Sequence, residues 1–206
     1  KENNVQDLYF VGSPNVLKIC IALEEMDLPY RLLPVDISRG DHHDPVLIGG
    51  GVTGKLPVLV DNDPADGCEP TTLIESGAIL AYLGEKTGKF MPGDVRDRWQ
   101  VMQWLFWQMG GIGPIGGQLW HFRVFAPRIA PDFDNSYALN RYDHMFGQLW
   151  TVMNKRLEGR EYLCGSYSVA DMACFPWVAY LEPSEGIAAY PNVQRWRDVI
   201  GARPAV

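Results

Sequence analysis

The chain has 206 residues, of which 47% are hydrophobic, 21% charged and 12% aromatic, and its formal net charge at pH 7 is −7. This composition is typical of a globular protein with a sizeable core, and it excludes a disordered chain, a collagen-like repeat and a disulfide-dense miniprotein. Nucleic acids and anionic membrane surfaces are themselves negatively charged, so the acidic balance predicts neither as a partner.

The sequence predicts no membrane span, no signal sequence and no disulfide framework. No run approaches the roughly 18 unbroken apolar residues that a spanning helix needs, and the chain starts with a polar segment at Lys1. The cysteines at positions 20, 68, 164 and 174 have no CxxC spacing, which favours reduced thiols. We therefore expect a soluble protein of the cytoplasm.

Strand and helix patterns alternate over the first part of the chain. A short apolar run ends at Gly12, and Ser13, Pro14 and Asn15 then form a turn with cap chemistry before a helix. Strands are predicted at residues 8–11, 29–35, 57–60 and 71–74, and helices at residues 16–26 and 75–86. This order predicts a β-α-β unit followed by two strands and a helix.

Only helical patterns follow in the second part of the chain. They are predicted at about residues 96–109, 137–157, 169–180 and 192–200. One helix start is well marked, because Ser168 precedes Asp171 as in a capping box, with Tyr167 and Met172 placed as a hydrophobic staple. The change of pattern predicts two domains, residues 1–88 and 94–206.

Two patterns resemble ligand sites and are rejected on their spacing. Residues 49–55 match part of a phosphate-binding loop, but Leu56 stands where a Ser or Thr must hold magnesium, and the segment precedes a strand instead of a helix. The histidines, at positions 42, 43, 121 and 144, form no i, i+4 pair, so no metal site is predicted. No nucleophile elbow or Cys-His signature supports a hydrolase.

An aromatic segment and a glycine run meet in the middle of the chain. Three tryptophans lie within residues 99–107 among other apolar side chains, which predicts a central core helix rather than a ligand-stacking surface. Residues 110–117 contain five glycines and a proline, and each weakens a helix. We therefore predict a helix break or a close approach of the backbone at this point.

Four segments carry a resemblance to a known family: residues 8–15, 55–60, 75–80 and 168–171. With a proline opening the third strand, the first part resembles a thioredoxin-like domain, and the all-helical second part makes the chain resemble a glutathione transferase. The fold class implied is α/β plus all-α. Residues 103–114 are similar to the bacterial nu-class enzymes and their fungal prion-type relatives. That subgroup is known for glutathione-dependent disulfide reduction.

The resemblance implies a catalytic role for Ser13 and Asn15. Both lie at a helix start, where backbone and side-chain donors can stabilise the thiolate of glutathione. The local alternative is a turn with an ordinary helix cap, and it stays open for both residues. The subgroup usually has Thr at the position of Ser13, so the hydroxyl is preserved.

The resemblance also implies a binding site for the rest of the tripeptide. Leu56 and Pro57 are expected to form a cis peptide that presents the Leu56 backbone to the cysteinyl residue. Glu75 is expected to bind the γ-glutamyl ammonium, and Ser76 the γ-glutamyl carboxylate. Read locally, these two residues are a first-turn acid and a cap.

Three more residues complete the implied glutathione site. Lys55 is expected to pair with the glycyl carboxylate, and His42 stands where the family usually has Gln. Arg141 matches an arginine that reaches glutathione from the helical domain in the nu class, although it can equally be a solvated helix residue. Residues 51–55 depart from the family's usual Ser-Pro-Asn-Asn-Lys loop, and this bears on contacts at the glycyl end.

Together these features predict a glutathione transferase-like enzyme that activates the glutathione thiolate for disulfide reduction or for conjugation to small electrophiles. The expected partners are glutathione, a small hydrophobic or disulfide co-substrate and a second copy of the chain, with no metal. Two alternatives stay open because fold alone does not decide function. One is a non-catalytic glutathione-binding or scaffold protein, and the other is a glutathione-dependent aryl-ether lyase.

Overall fold

The computed structural model describes residues 5–206, so the polar start on which the signal-sequence expectation depends lies outside the described residues. The chain divides into two compact units, one running up to Arg98 and including Ala205–Val206, the other spanning Trp99–Pro204. Compactness alone does not define a functional domain, so the limits 1–88 and 94–206 stay a prediction. No helix within residues 5–206 is long and apolar enough to cross a membrane.

The first unit is built on one four-stranded sheet. Its elements are β1 (Gln6–Phe10), α1 (Pro14–Glu25), β2 (Tyr30–Pro34), β3 (Val58–Asp61), β4 (Thr71–Ile74) and α2 (Ser76–Thr87). The strand order is β2-β1-β3-β4, with β1 parallel to β2 and antiparallel to β3, and β3 antiparallel to β4. This is the β-α-β unit followed by two strands and a helix that the sequence predicted.

The core of this unit lies between the sheet and its two helices. The central strands bury Leu8 and Leu59 completely, while α1 buries Ile19 and Leu23 from successive turns. The second helix contributes three fully buried residues from one face: Ile79, Leu80 and Leu83. Burial of these faces holds α1 and α2 against each other, and their starts are thereby held in place.

The second unit is helical. Its elements are α3 (Val95–Trp107, which begins in the first unit), α4 (Gly113–Trp120), α5 (Ala126–Ile129), α6 (Ser136–Arg156), α7 (Val169–Tyr180) and α8 (Pro191–Gly201). Two π-helical segments, Gln108–Ile112 and His121–Phe125, flank α4. The centre of the core is α7, since ten of its 12 residues are buried. The predicted capping box at its start is present.

The predicted helix break in the glycine run is wrong. The chain stays helical from α3 through the π-helical segment Gln108–Ile112 into α4. A Cβ atom added at Gly116 would lie 2.9 Å from Trp177 Cε3 and 3.0 Å from Phe146 Cε2, so these rings pack directly on the backbone. This packing offsets the poor helix propensity of the glycines, and it confirms the other half of the prediction, a close approach of the backbone.

The interpretation of the tryptophan segment as a core helix is also wrong. In α3 only Val101 and Leu105 are buried. Trp99 is 57% exposed and Phe106 is 64% exposed. The helix therefore buries one narrow face and leaves large apolar side chains on its surface.

Candidate functional site

The register of the sheet brings three distant segments to one end of the first unit. Tyr9 is opposite Val58, and Val58 is opposite Ile74. The carboxyl end of β1, the amino end of β3 and the carboxyl end of β4 therefore lie side by side. The turn after β1, the residues before β3 and the residues after β4 must meet at this edge, which we call the site edge.

The first segment at the site edge is the start of α1. Ser13 has extended backbone and accepts a hydrogen bond at its Oγ from the Val16 backbone N–H, at 3.4 Å. Pro14 occupies the first helical position, and Asn15 follows it. The first turn contains no acidic residue. Ser13 thus caps the positive end of the helix dipole, and Asn15 lies in the first turn of the same helix.

The second segment precedes β3. The Leu56–Pro57 peptide bond is cis, as predicted. Pro57 is buried, Leu56 is half-buried against the core around Ile48 and Val58, and Lys55 is exposed. The glycines before Lys55 lead into β3 rather than into a helix, which agrees with the rejection of a phosphate-binding loop.

The third segment is the start of α2. Glu75 is exposed and lies at the N-cap position with φ 67°, a left-handed backbone conformation that is uncommon outside glycine, and its side chain makes no cap hydrogen bond. Ser76 is the first helical residue and is 4% exposed. Strained backbone of this kind is concentrated at ligand sites. The start of α2 therefore has the donors and the geometry for an anionic ligand group.

Lys18 joins two of these segments, and the sequence did not indicate its role. Its side chain is fully buried, and its Nζ donates a hydrogen bond to Ser76 Oγ at 3.2 Å. In the sequence, Lys18 lies between the apolar positions of α1 and has the pattern of an ordinary surface lysine. Only the packing of α1 against α2 puts its ammonium beneath the start of α2.

Burial makes two of the cysteines poor nucleophiles. It raises the pKa of the Cys20 thiol, and it raises the pKa of Cys164 to about 11, where the neighbouring Asp171 carboxylate adds to the effect. A raised pKa leaves less of the reactive thiolate at neutral pH. Within residues 5–206 no group of three or more His, Cys, Asp or Glu side chains is arranged to hold a metal ion.

Comparison with known proteins identifies the family. The glutathione S-transferase N-terminal domain matches residues 6–85 of this chain. The disulfide-bond oxidoreductase YfcG of Escherichia coli (strain K12) is 47% identical over 201 residues, which cover 97% of this chain and 91% of that protein. The chain belongs to the glutathione S-transferase family. The resemblance found in the sequence is confirmed.

Solved glutathione S-transferases share the whole fold. A Burkholderia graminis enzyme with two glutathione molecules bound per subunit matches with a TM-score of 0.91 and 41% identity, over 98% of this chain and 85% of that chain. A Pseudomonas putida enzyme with one glutathione disulfide bound per subunit matches with a TM-score of 0.89 and 35% identity, over 100% and 90%. The predicted fold class, a thioredoxin-like domain followed by a helical one, is confirmed.

The first unit of this glutathione S-transferase contains eight of the nine predicted site residues, and seven of them lie at the site edge. His42 lies in the single-turn helix Asp41–His43, where its ring contacts the His43 ring and its buried Nδ1 has no hydrogen-bond partner among the described residues. Arg141 is exposed on α6 in the second unit. The functional roles of these residues stay predictions.

Proposed function

We propose that this glutathione S-transferase binds glutathione at the site edge and uses its thiolate to reduce small disulfides or to conjugate small electrophiles. The observation that supports this most is the register of the sheet, which brings the cis Leu56–Pro57 peptide and the starts of α1 and α2 together. Relatives with bound glutathione or glutathione disulfide, and the name of the Escherichia coli relative, agree with it.

Each part of glutathione has a candidate partner at or near this edge. The Leu56 backbone would pair with the cysteinyl residue as a short strand. Glu75 would bind the γ-glutamyl ammonium, and Ser76 together with the backbone N–H groups of α2 would bind the γ-glutamyl carboxylate. Lys55 and His42 are the proposed partners of the glycyl carboxylate.

The start of α1 would lower the pKa of the bound thiol. A free thiol with a pKa of about 8.5 is only a few per cent thiolate at pH 7. The Ser13 oxygen already accepts from the Val16 N–H, so its own hydrogen is directed elsewhere and can point to sulfur. The Asn15 amide is the second proposed donor. Both would favour the charged form of the sulfur.

The reaction then needs no protein thiol. The glutathione thiolate attacks one sulfur of the substrate disulfide, which forms a mixed disulfide and releases the first thiol of the substrate. A second glutathione thiolate attacks the mixed disulfide and releases the second thiol, leaving glutathione disulfide. Two glutathiones are oxidised for each disulfide reduced. The raised pKa values of Cys20 and Cys164 agree with sulfur supplied from outside.

The assembly and the place of action are parts of the same proposal. We propose a homodimer, because the exposed Trp99 and Phe106 offer apolar surface that a second copy can cover. Arg141 and a small hydrophobic or disulfide co-substrate remain proposed partners of the site, and the cytoplasm the proposed location. Light scattering should report a mass of twice 23.2 kDa, and a monomer at micromolar concentration would contradict the dimer.

One comparison of substrates tests the chemistry. Turnover of a small disulfide, an aryl halide, a hydroperoxide and an aryl ether is measured at one glutathione concentration, and binding of glutathione by calorimetry. We expect the disulfide to react fastest. Binding without any turnover would instead support the scaffold alternative, and reaction of the ether alone would support the lyase alternative. Absence of glutathione binding would overturn the proposal.

A further inference from the structure

Lys18 is a charged side chain buried inside the first unit beside the proposed site. Its exposed fraction is 0%, and Nζ lies 3.2 Å from Ser76 Oγ. Lysine is among the residues least often fully buried in proteins. One hydrogen bond of its ammonium goes to the first residue of α2, and this position needs an explanation beyond packing.

The chemistry of the two groups determines the direction of the hydrogen bond. An ammonium has three donors and no acceptor, whereas a serine hydroxyl has one donor and two acceptor lone pairs. Ser76 must therefore accept from Lys18, and the Ser76 hydrogen must point away from Lys18. A hydroxyl that accepts from a cation is also polarised, which makes its own hydrogen a stronger donor.

The same ammonium adds charge where the helix already favours an anion. The first N–H groups of α2 and the positive end of its dipole lie at Ser76, and the N-cap residue Glu75 makes no cap hydrogen bond there. A buried positive charge is poorly screened by solvent, so it acts on a ligand carboxylate more strongly than a surface lysine does.

We propose that Lys18 is a positioning residue that selects the γ-glutamyl carboxylate of glutathione. It orients the Ser76 hydroxyl toward that carboxylate and supplies a buried positive charge behind it. This inference rests on the proposed function, because it concerns one end of the proposed glutathione site. The carboxylate contacts Ser76, and Lys18 acts through Ser76.

The test compares two ligands that differ in this carboxylate. One is S-methylglutathione, which has no ionisable thiol, and the other is the same compound with 4-aminobutyryl in place of γ-glutamyl, which lacks only the carboxylate. Binding to the full chain is measured by calorimetry. We expect Lys18→Met to weaken S-methylglutathione roughly tenfold to a hundredfold and to leave the second ligand within about twofold. A merely structural role would weaken both ligands alike.

Two more variants separate the effect of the hydrogen bond to Ser76 from the effect of the positive charge. They also keep the test valid if Lys18→Met fails to fold. Lys18→Gln keeps a donor for Ser76 but removes the charge, so it should lose less affinity than Lys18→Met, again only for the ligand with the carboxylate. Ser76→Ala removes the group through which Lys18 acts and should also lose most of the preference for the carboxylate.

The outcomes distinguish this inference from the proposed function. Equal weakening of both ligands in a Lys18 variant, no weakening, or a full preference retained in Ser76→Ala would overturn the role of Lys18. If the unaltered protein binds neither S-methylglutathione nor glutathione, the proposed function itself fails, and the inference falls with it.

Discussion

The helices α2 and α7 each start with a serine and an acidic residue close together, but the polar groups are used differently. At the start of α7, Asp171 is fully buried, and its two oxygens accept four hydrogen bonds. The donors are the Leu163 N–H, the Trp196 Nε1–H, and both the N–H and the hydroxyl of Ser168. The charge of this carboxylate is directed entirely to groups of the protein.

At the start of α2 the arrangement is reversed. The acid, Glu75, is exposed and does not cap the helix, and the serine is a helical residue instead of a cap. Behind Ser76 lies the ammonium of Lys18. One start thus supplies its own anion, and the other collects positive groups that suit an anion from outside. The difference predicts that substitutions at α7 change stability, whereas substitutions at α2 change binding.

The largest effect is expected at the α7 start. Asp171→Asn would place an NH₂ group against the donors that the carboxylate now accepts from, leaving about two of them unsatisfied. We expect the free energy of unfolding to fall by about 3 kcal/mol. All seven tryptophans lie in the second unit, so urea unfolding followed by tryptophan fluorescence measures it there. Glutathione affinity of the folded variant should stay the same, and a selective loss of affinity would contradict the comparison.

The pH dependence of stability should separate this carboxylate from another buried one. Burial raises the pKa of Asp171 from 3.8 to about 6, although its hydrogen bonds oppose the rise. Burial also acts to raise the pKa of Asp61, but hydrogen bonds from Lys86 and Tyr82 outweigh it and hold that pKa below its usual value. The ammonium partner makes the difference, because the donors to Asp171 are neutral.

The two shifts have opposite signs in a stability measurement. With its pKa raised, Asp171 takes up a proton in the folded state before it does in the unfolded chain, so its contribution to stability grows as pH falls from 7 toward 4. The change amounts to up to about 3 kcal/mol. With its pKa lowered, Asp61 contributes stability above pH 4 or so and loses it below.

Two matched variants measure how much each carboxylate contributes to stability at each pH. The gap in unfolding free energy between the parent and Asp171→Asn should widen as pH falls from 7 to 4.5. The gap between the parent and Asp61→Asn, followed by circular dichroism, should narrow as pH falls below about 4. Equal slopes for the two variants would show that the partners of the carboxylates do not decide their pKa values.

Substitutions at a third helix start, that of α1, test whether the reacting sulfur comes from glutathione. Asn15→Ala would remove a donor to the thiolate and should lower the rate of disulfide reduction roughly tenfold to a thousandfold. Ser13→Ala should cost as much only if its hydroxyl is the main partner of the sulfur. The rates are measured with a small disulfide at saturating glutathione.

The matched control removes every protein thiol. Replacing the cysteines at positions 20, 68, 164 and 174 by Ala or Ser should keep turnover within several-fold of the parent. A stable cysteine-free variant without activity, next to a fully active Asn15→Ala, would show that a protein thiol does the chemistry.

The smallest effect is expected from Ser76→Ala at the α2 start. The variant should weaken glutathione binding by about 1–3 kcal/mol, because a charge-assisted hydrogen bond is lost while the ligand carboxylate stays partly buried. Calorimetry measures the affinity, and urea unfolding should show a smaller loss of stability than Asp171→Asn does, although the buried Lys18 ammonium loses one acceptor. Unchanged affinity in a folded variant would show that Ser76 does not bind glutathione. A loss of stability as large as that of Asp171→Asn would contradict the proposed difference between the starts of α2 and α7.

Local sequence determined most elements of this protein and the position of most helix starts, but it did not predict α4 and α5. The strand at Thr71–Ile74 and the helix at Val169–Tyr180 have the predicted bounds. The capping box of α7 could be predicted from the sequence because Ser168 and Asp171 lie three positions apart and form hydrogen bonds with each other. The cis peptide before β3 followed only from the family resemblance, since an isolated proline before a strand does not specify it.

Tertiary packing decided the rest, for physical reasons that no short window contains. The glycine run stays helical because the Trp177 and Phe146 rings pack on its backbone, and helix propensity could not predict contacts with residues far along the chain. Lys18 and Ser76 are 58 positions apart, and their hydrogen bond exists because the sheet holds α1 and α2 together. The sequence determined which groups can bind an anion, and the register of the sheet decided that they meet.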